Sequence, residues 1–388
     1  MKLLHIAEDF YPIKAGGAIV DTEVAETAVK QDFDVTVFTL QLGDFPRRET
    51  HNGVEIRRPV RPLFINHPEG TPLNVLGRIM AVFVFSLYVI RYSVTHPVDI
   101  IYSTNHSVHP VSKAVATLTG SPLVTFVGYS PSQYAGKRRY TNPQYLLEQI
   151  NFRYYLGENI HCRDPEVRDA ISKLNPDSTV RIVHGILNRE EMMDALDGLT
   201  PDQELPIRDF DVASDSTVLL FVGSLTRIKR PESAVRVVSE LPEPYELVVI
   251  GDGERKGAAE DVAREKGVSD RVNFVGELPH VRTLQMMLLA EGLLMTSVTE
   301  SYSAVVLEAL ACSSHVFSTS VGIVPQIVDE TERLSVCTVE SMPNAILEAG
   351  ELRSPVAIDE HILDAFPINR LTKTVCESFR EVSQSASG

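Results

Sequence analysis

The chain has 388 residues, beyond the size at which one hydrophobic core keeps growing, so a lone small module is excluded and two domains of ordinary size are expected. With 44% hydrophobic and 23% charged residues it has enough apolar surface to offset chain entropy, which excludes a disordered chain. Its 36 basic side chains stand against 52 acidic ones, and the formal charge of −16 opposes the electrostatic attraction on which nucleic-acid binding rests, so DNA and RNA are not expected partners.

In chain order, residues 1–7 form a short apolar run that meets Glu8 and Asp9 at once, unlike a secretory signal, so export is not expected. Short β-branched runs at 2–7, 34–39, 99–103, 122–127 and 159–162 predict strands separated by helical patterns, the rhythm of βαβ units around a parallel sheet. The longest apolar stretch, 79–90, lies inside a predicted helix over 73–92 and is flanked by Arg78 and Arg91; it falls short of the ~20 residues a membrane span needs. Residues 188–216 are acidic, carry two prolines and have no sustained apolar period, which places an interdomain boundary near 186. Strands at 217–222, 246–250, 271–275, 292–296 and 315–320 then alternate with helices such as 232–240, 255–266 and 303–311, giving a second parallel sheet. A last helical pattern covers 368–382, and the serine-rich tail is expected to fray.

The halves differ in charge: residues 1–185 hold 19 basic and 18 acidic side chains, whereas 186–388 hold 17 and 34. Cys162, Cys312, Cys337 and Cys376 are far apart with no C-x-x-C spacing, and read as reduced thiols of a cytoplasmic protein. Ligands of open parallel sheets bind beyond the carboxyl ends of strands, which directs attention to the loops after Ile6, Val222, Ile250, Thr296 and Ser320.

The most informative of these is Glu300-Ser301-Tyr302-Ser303-Ala304-Val305-Val306-Leu307-Glu308. Glu300 ends a loop after a strand and Glu308 lies about two turns into the next helix, so both carboxylates can serve one strand-end crevice, where they would accept from vicinal hydroxyls. Between them the small residues Ser301, Ser303 and Ala304, with Tyr302 and Val305, let the helix-start N–H groups approach an anion such as a phosphate. A structural origin is equally available to each glutamate, as a helix-start acid or a solvated helical side chain.

With this E-x7-E element the chain resembles the retaining glycosyltransferases of glycosyltransferase family 4, over nearly its whole length. The other anchors are Tyr11-Pro12-Ile13-Lys14-Ala15-Gly16-Gly17, Val98-Asp99-Ile100-Ile101-Tyr102-Ser103, Phe221-Val222-Gly223-Ser224-Leu225-Thr226-Arg227-Ile228-Lys229 and Val249-Ile250-Gly251-Asp252-Gly253, in the family's order. The resemblance implies a GT-B fold: two Rossmann-like doubly wound α/β domains facing across a cleft. Domain 1–186 would take the acceptor and 187–365 the nucleotide-sugar, with 366–388 crossing back onto the first. It implies that Lys229 neutralises the leaving diphosphate, that Glu300 holds the transferred sugar and Glu308 the ribose, and that Gly16, Gly17, Gly223, Ser224, Gly251 and Gly253 admit the donor close to the backbone.

Three positions depart from the family pattern. Val127 stands where a histidine is expected, leaving His106, His109 or Tyr129 as acceptor-side donors; Ser224 replaces an arginine, leaving Arg227 or Arg230 as the second cation; and Gln326 replaces an acid. No D-x-D aspartate pair follows a strand, so transfer without a metal or other cofactor is expected. The apolar helix over 73–92, with Arg47, Arg48, Arg57, Arg58 and Arg61 nearby and Lys137, Arg138 and Arg139 further on, fits either burial against a sheet or rest on an anionic bilayer beside a glycan or polyprenyl-linked acceptor at the cytoplasmic membrane face. The alternatives to a transferase are a catalytically weakened GT-B protein that binds a nucleotide-sugar and a nucleotide-sugar 2-epimerase of the same fold.

Overall fold

The computed structural model describes residues 1–13, 16–64, 72–128, 143–199, 216–350, 352 and 356–387. The chain divides into two compact units, Met1–His184 with Ile368–Gly388, and Gly185–Pro367. The first runs β1 (Lys2–Ile6), α1 (Gly16–Lys30), β2 (Asp34–Phe38), β3 (Arg48–His51), β4 (Val54–Arg57), α2 (Pro72–Thr95), β5 (Ile100–Ser103), α3 (His109–Thr119), β6 (Leu123–Val127), α4 (Pro143–Tyr154), β7 (Asn159–Cys162), α5 (Pro165–Leu174) and β8 (Thr179–Ile182). The second runs α6 (Arg189–Asp197), β9 (Thr217–Val222), α7 (Pro231–Ser239), β10 (Tyr245–Ile250), α8 (Lys256–Lys266), β11 (Val272–Gly276), α9 (His280–Leu289), β12 (Gly292–Met295), α10 (Ala304–Ala311), β13 (His315–Ser318), α11 (Val324–Ile327), β14 (Leu334–Val336), α12 (Met342–Glu348) and α13 (Glu360–Ala365); α14 (Ile368–Ser387) then completes the first.

Among the described residues the first unit holds an eight-stranded sheet in the order β3-β4-β2-β1-β5-β6-β7-β8, and the second a six-stranded one in the order β11-β10-β9-β12-β13-β14. Every pairing is parallel except β3 with β4. Helices cover both faces of a doubly wound sheet, so the central strands are apolar throughout, as in Leu219-Leu220-Phe221 and Leu247-Val248-Val249, all buried. Asp164, Asn188 and Asp359 accept from the first free N–H groups of α5, α6 and α13, which fixes where those helices start. The antiparallel hairpin turns at Asn52-Gly53, both at positive φ (45° and 83°), the geometry that favours this dipeptide.

Helix α2 is the crossover from β4 to β5, and its buried stripe is narrow: Asn74, Gly77, Ala81, Phe85, Val89 and Ser93. A Cβ at Gly77 would lie 1.8 Å from the Leu63 carbonyl oxygen, so the glycine lets that backbone lie against the helix. The rest of the surface is apolar yet open, with Ile79 62% and Phe83 67% exposed beside Leu76, Met80, Leu87 and Tyr88. Burial against the sheet therefore accounts for one face of the helix and leaves the opposite one unexplained. At 24 residues α2 is long and apolar enough, by length and composition, to cross a membrane, which the 79–90 stretch alone was not.

Several arginines near α2 are committed to the protein. Arg58 is buried, donating to Pro46 O at 2.9 Å and pairing with Glu49 at 2.6 Å; Arg57 pairs with Glu55 at 2.7 Å and lies 4.6 Å over the Tyr92 ring. Arg47, Arg48 and Arg91 are exposed, and Arg61 stands 3.7 Å from Asp44; Lys137, Arg138 and Arg139 lie outside the described residues. The four cysteines are free thiols, and burial pushes those of Cys162 and Cys376 up to about 11 and about 12.

Helix α14 packs on α1, its Leu371, Val375, Cys376 and Phe379 are fully buried, and the Phe379 ring sits 6.0 Å from Phe33 and 5.2 Å from Tyr102. Truncating such a ring removes transfer energy and leaves a cavity, so Phe379→Ala is expected to cost about 3–5 kcal/mol. Urea unfolding followed by circular dichroism checks this, and a loss below about 1 kcal/mol would show that the terminal helix is dispensable to the first unit's core.

Candidate functional site

In the six-stranded sheet the chain winds outward in opposite directions from β9 and β12, so the carboxyl ends of these neighbours form the topological switch point at which doubly wound sheets bind ligands. The loop after β9 brings Lys229 there and the loop after β12 brings Glu300. Lys229 Nζ donates to Glu300 Oε1 at 2.7 Å, and Ser297 Oγ donates to the same oxygen at 2.6 Å. An ammonium has three N–H groups, so Lys229 retains donors beyond the one given to Glu300.

The two loops are tied together by reciprocal bonds. Arg230, at positive φ (54°), donates from Nε to Thr296 O at 2.7 Å and from Nη2 to Ser297 O at 3.3 Å, while Thr296 Oγ1 lies 3.0 Å from the carbonyl oxygens of both Lys229 and Arg230. Arg230 thus spends two of its five N–H groups on backbone carbonyls, which hold its guanidinium in place and leave its charge uncompensated by them. Arg227 and Ser224 are exposed in the same loop.

The glycines at the strand ends are required by the protein's own packing. A Cβ at Gly251 would lie 2.1 Å from Gly223 O and one at Gly253 2.6 Å from Leu225 O, so the β9 and β10 loops nest only without side chains there. A Cβ at Gly223 would meet the Lys229 side chain at 3.8 Å. In the first unit, Gly16 and Gly17 open α1 with no described atom within 4 Å of a Cβ at either.

Helix α10 begins at Ala304, capped by Ser303 at positive φ (66°). Ser303 and Tyr302 are buried, and Ser303 Oγ has no hydrogen-bond partner among the described residues. Ser301 is exposed; Ala304 and Val305 are half-buried on the first turn. Glu308 stands one turn and more along the helix and accepts from His280 Nε2 at 3.1 Å, with Glu191 on the other ring nitrogen at 2.9 Å. Glu300 and Glu308 therefore have separate partners. Neither Ser297 nor His280 was singled out from sequence; Ser297 is legible in hindsight as a hydroxyl three residues before the acid, whereas nothing in the sequence connects His280 to residues 89 and 28 positions away.

In the first unit the switch point lies between β1 and β5. Asn105, at positive φ (53°), accepts from Glu8 N at 2.8 Å and donates to Asp9 at 2.9 Å, and Arg78 pairs with Glu8 at 3.1 Å. Beneath them Thr104 donates to Asp21 at 2.7 Å, and burial pushes the Asp21 carboxyl up to about 8. The candidate acceptor-side histidines sit in the core: His109 is sealed with Nδ1 2.9 Å from Ser103 Oγ, its pKa pushed well down by burial, and His106 is buried with its carbonyl accepting from Asn151 at 2.8 Å. That burial corrects the expectation of His109 as an acceptor-side donor; Tyr129 lies outside the described residues. Val127 is a buried core residue packed near Phe152 and Leu156.

Residues 202–357 match the family model described as glycosyl transferases group 1. An uncharacterized glycosyltransferase of Methanocaldococcus jannaschii is 25% identical over 344 residues, covering 84% of this chain and 83% of that protein. The chain is a glycosyltransferase, and its second unit is similar to the group 1 type. Its GT-B fold is shared with sucrose-phosphate synthase of Thermosynechococcus elongatus (TM-score 0.80, 14% identity, 99% of each chain) and with Anabaena HepE solved in complex with UDP-glucose (TM-score 0.69, 14% identity, 98% of this chain and 100% of that one).

The Glu300 loop of this glycosyltransferase rests on Gly322. At φ +58° that residue has no room for a side chain: a Cβ would come within 2.4 Å of Ser303 Oγ and 3.1 Å of Glu300 Cβ. Gly350 shares the conformation (φ +72°) with nothing within 4 Å. Gly350→Ala is therefore expected to cost about 1–2 kcal/mol of backbone strain and Gly322→Ala clearly more. Equal losses in urea unfolding would show that the Glu300 loop does not lean on position 322.

Proposed function

We propose that the protein is a retaining glycosyltransferase of family 4 that moves a sugar from a nucleotide-sugar to a glycan or lipid-linked acceptor at the cytoplasmic membrane face. The observation that carries this reading is the Lys229–Glu300 pair, fixed at 2.7 Å at the β9–β12 switch point beside the start of α10. In the transfer the bond from the anomeric carbon to the diphosphate breaks and one to an acceptor hydroxyl forms, with the hydroxyl's proton passing to the departing phosphate or to water. Negative charge then grows on the leaving group, where the free N–H groups of Lys229 and of the α10 start would meet it, and positive charge grows on the sugar ring, where the Glu300 carboxylate would meet it. UDP-glucose in the complex of Anabaena HepE supports a nucleotide-sugar as donor. Lys229, Arg227 and the helix start supply the charge that a divalent ion would otherwise supply, so transfer without metal is part of the proposal.

The decisive experiment measures nucleotide release from UDP-glucose, GDP-mannose and ADP-glucose in EDTA, with and without a detergent-solubilised polyprenyl-linked sugar. Release that needs the acceptor and falls at least about a hundredfold in Glu300→Gln is the expected result, a loss in line with removing a key transition-state charge. Release without acceptor would instead indicate an epimerase or hydrolase, and binding without release a weakened GT-B protein.

The acceptor reading draws on α2, whose outward face presents Ile79, Phe83 and Leu87 to solvent, with Arg91 exposed beside it. An apolar helix face with cationic neighbours partitions into an anionic bilayer surface, each basic residue adding ~1 kcal/mol. The wild type is expected to sediment with phosphatidylglycerol-containing vesicles and the triple variant Ile79→Ser/Phe83→Ser/Leu87→Ser to remain in the supernatant with unchanged circular dichroism. Equal sedimentation of the two would remove α2 from the acceptor reading.

A further inference from the structure

Residue His280 opens α9 with Pro279 before it, a place where helix dipoles disfavour a cation. Its ring nonetheless lies between two carboxylates, Nδ1 2.9 Å from Glu191 Oε2 on α6 and Nε2 3.1 Å from Glu308 Oε1 on α10. Ionised carboxylates only accept hydrogen bonds, so satisfying both contacts requires a proton on each ring nitrogen, which is the imidazolium. Among the described residues, the charged groups acting on the ring from the packed elements are Glu191 from α6 and Glu308 from α10; on α9 itself, Arg282 reaches Gln285 at 3.3 Å. The two hydrogen bonds push the His280 pKa up to about 10.

We propose that His280 is a positioning residue for the donor site: as a doubly donating imidazolium anchored on Glu191, it holds one oxygen of Glu308 and thereby sets the carboxylate's direction toward the ribose hydroxyls of the nucleotide. The proposal rests on the donor-site reading above, in which Glu308 meets the ribose. Glu308 Oε2 has no hydrogen-bond partner among the described residues and is the oxygen left for a sugar hydroxyl. Because His280 holds a group that binds donor equally before and during transfer, its loss acts on KM and spares kcat. The sign of the pH dependence follows from the raised pKa: the clamp is complete below the ordinary histidine range and is lost as pH rises through about 10, so wild-type affinity is flat across neutral pH.

The test uses full-length protein and calorimetric binding of UDP-glucose, GDP-mannose and their 2′-deoxy and 3′-deoxy ribose analogues. His280→Ala is expected to weaken the ribonucleotide about tenfold, the scale of a lost charge-assisted contact, with KM raised alike and kcat within about twofold. On the analogue that lacks the contacted hydroxyl the loss should shrink below about twofold, because the contact that His280 serves is already gone. An equal loss on all analogues, or a loss confined to kcat, overturns the proposal. Should His280→Ala fail to fold, His280→Gln carries the same comparison. In Glu191→Gln the raised pKa falls, so UDP-glucose affinity should decline between about pH 7 and 9; a flat profile also overturns it. If the wild type binds neither nucleotide-sugar, the donor reading has failed. The role of His280 is then decided by the nitrogen resonances of its ring, expected to be doubly protonated at about pH 8 in wild type and to lose that proton in Glu308→Gln.

Discussion

A carboxylate lifted most of the way out of water needs donors fixed in place, and the second unit is arranged to supply them to Glu300. Its side chain is 10% exposed against 23% for Lys229, so the acid is the deeper and more demanding member of the pair. Removing either partner would leave a half-buried charge uncompensated, which costs more than the pair itself contributes. The lysine can be where it is because the backbone around it is locked: Arg230 and Thr296 each bind the main chain of the other's loop. An arginine placed to look like a phosphate ligand thus serves by fixing the lysine beside it, and the site is organised before any ligand arrives.

The same constraint explains what was legible in the sequence. Parallel strands covered on both faces must be continuous apolar runs, so β9, β10 and β12 stood out from the charged helices around them, and the glycines at 223, 251 and 253 marked strand ends because backbone packs there. β14 was missed because it is three residues at a sheet edge, too short to carry a period. The β3–β4 hairpin was missed although its turn, Asn52-Gly53, is a strong local signal: β3 is a polar edge strand, and β4 alternates buried Val54 and Ile56 with Glu55 and Arg57 over only four residues, too few to set a period. Of the site, E-x7-E and Lys229 were visible as residues on strand-end loops. The locking role of Arg230 and the bridge through His280 were not, since both depend on side-chain directions across elements distant in sequence.

Helix α2 shows where periodicity reaches its limit. A helix apolar nearly all round can be a core helix or one that lies against lipid, and the two share a sequence. What separates them is the width of the stripe that the sheet covers. Here Gly77, Ala81, Phe85 and Val89 make a narrow seam on the first unit's core, while Ile79, Met80, Phe83, Leu87 and Tyr88 stand exposed. A contiguous apolar face of that kind is uncommon on a water-facing surface.

The positions that depart from the family pattern gain meaning from this arrangement. With Ser224 in place of an arginine, the cations of the loop after β9 are Lys229, the exposed Arg227 and Arg230, whose guanidinium also holds two backbone carbonyls. In the proposed reading the remaining leaving-group charge falls on the start of α10, where Ser303 takes a left-handed conformation and its buried hydroxyl has no hydrogen-bond partner among the described residues. A helix start uses fixed backbone dipoles that need no reorganisation as charge develops, whereas a flexible arginine must first be ordered. Gly322 is what allows Ser303 to sit there, since any side chain at that position would occupy the hydroxyl's place. On that reading an arginine is dispensable at position 224, because the charge it would have met would fall to a lysine held by its neighbours and a helix start held by a glycine.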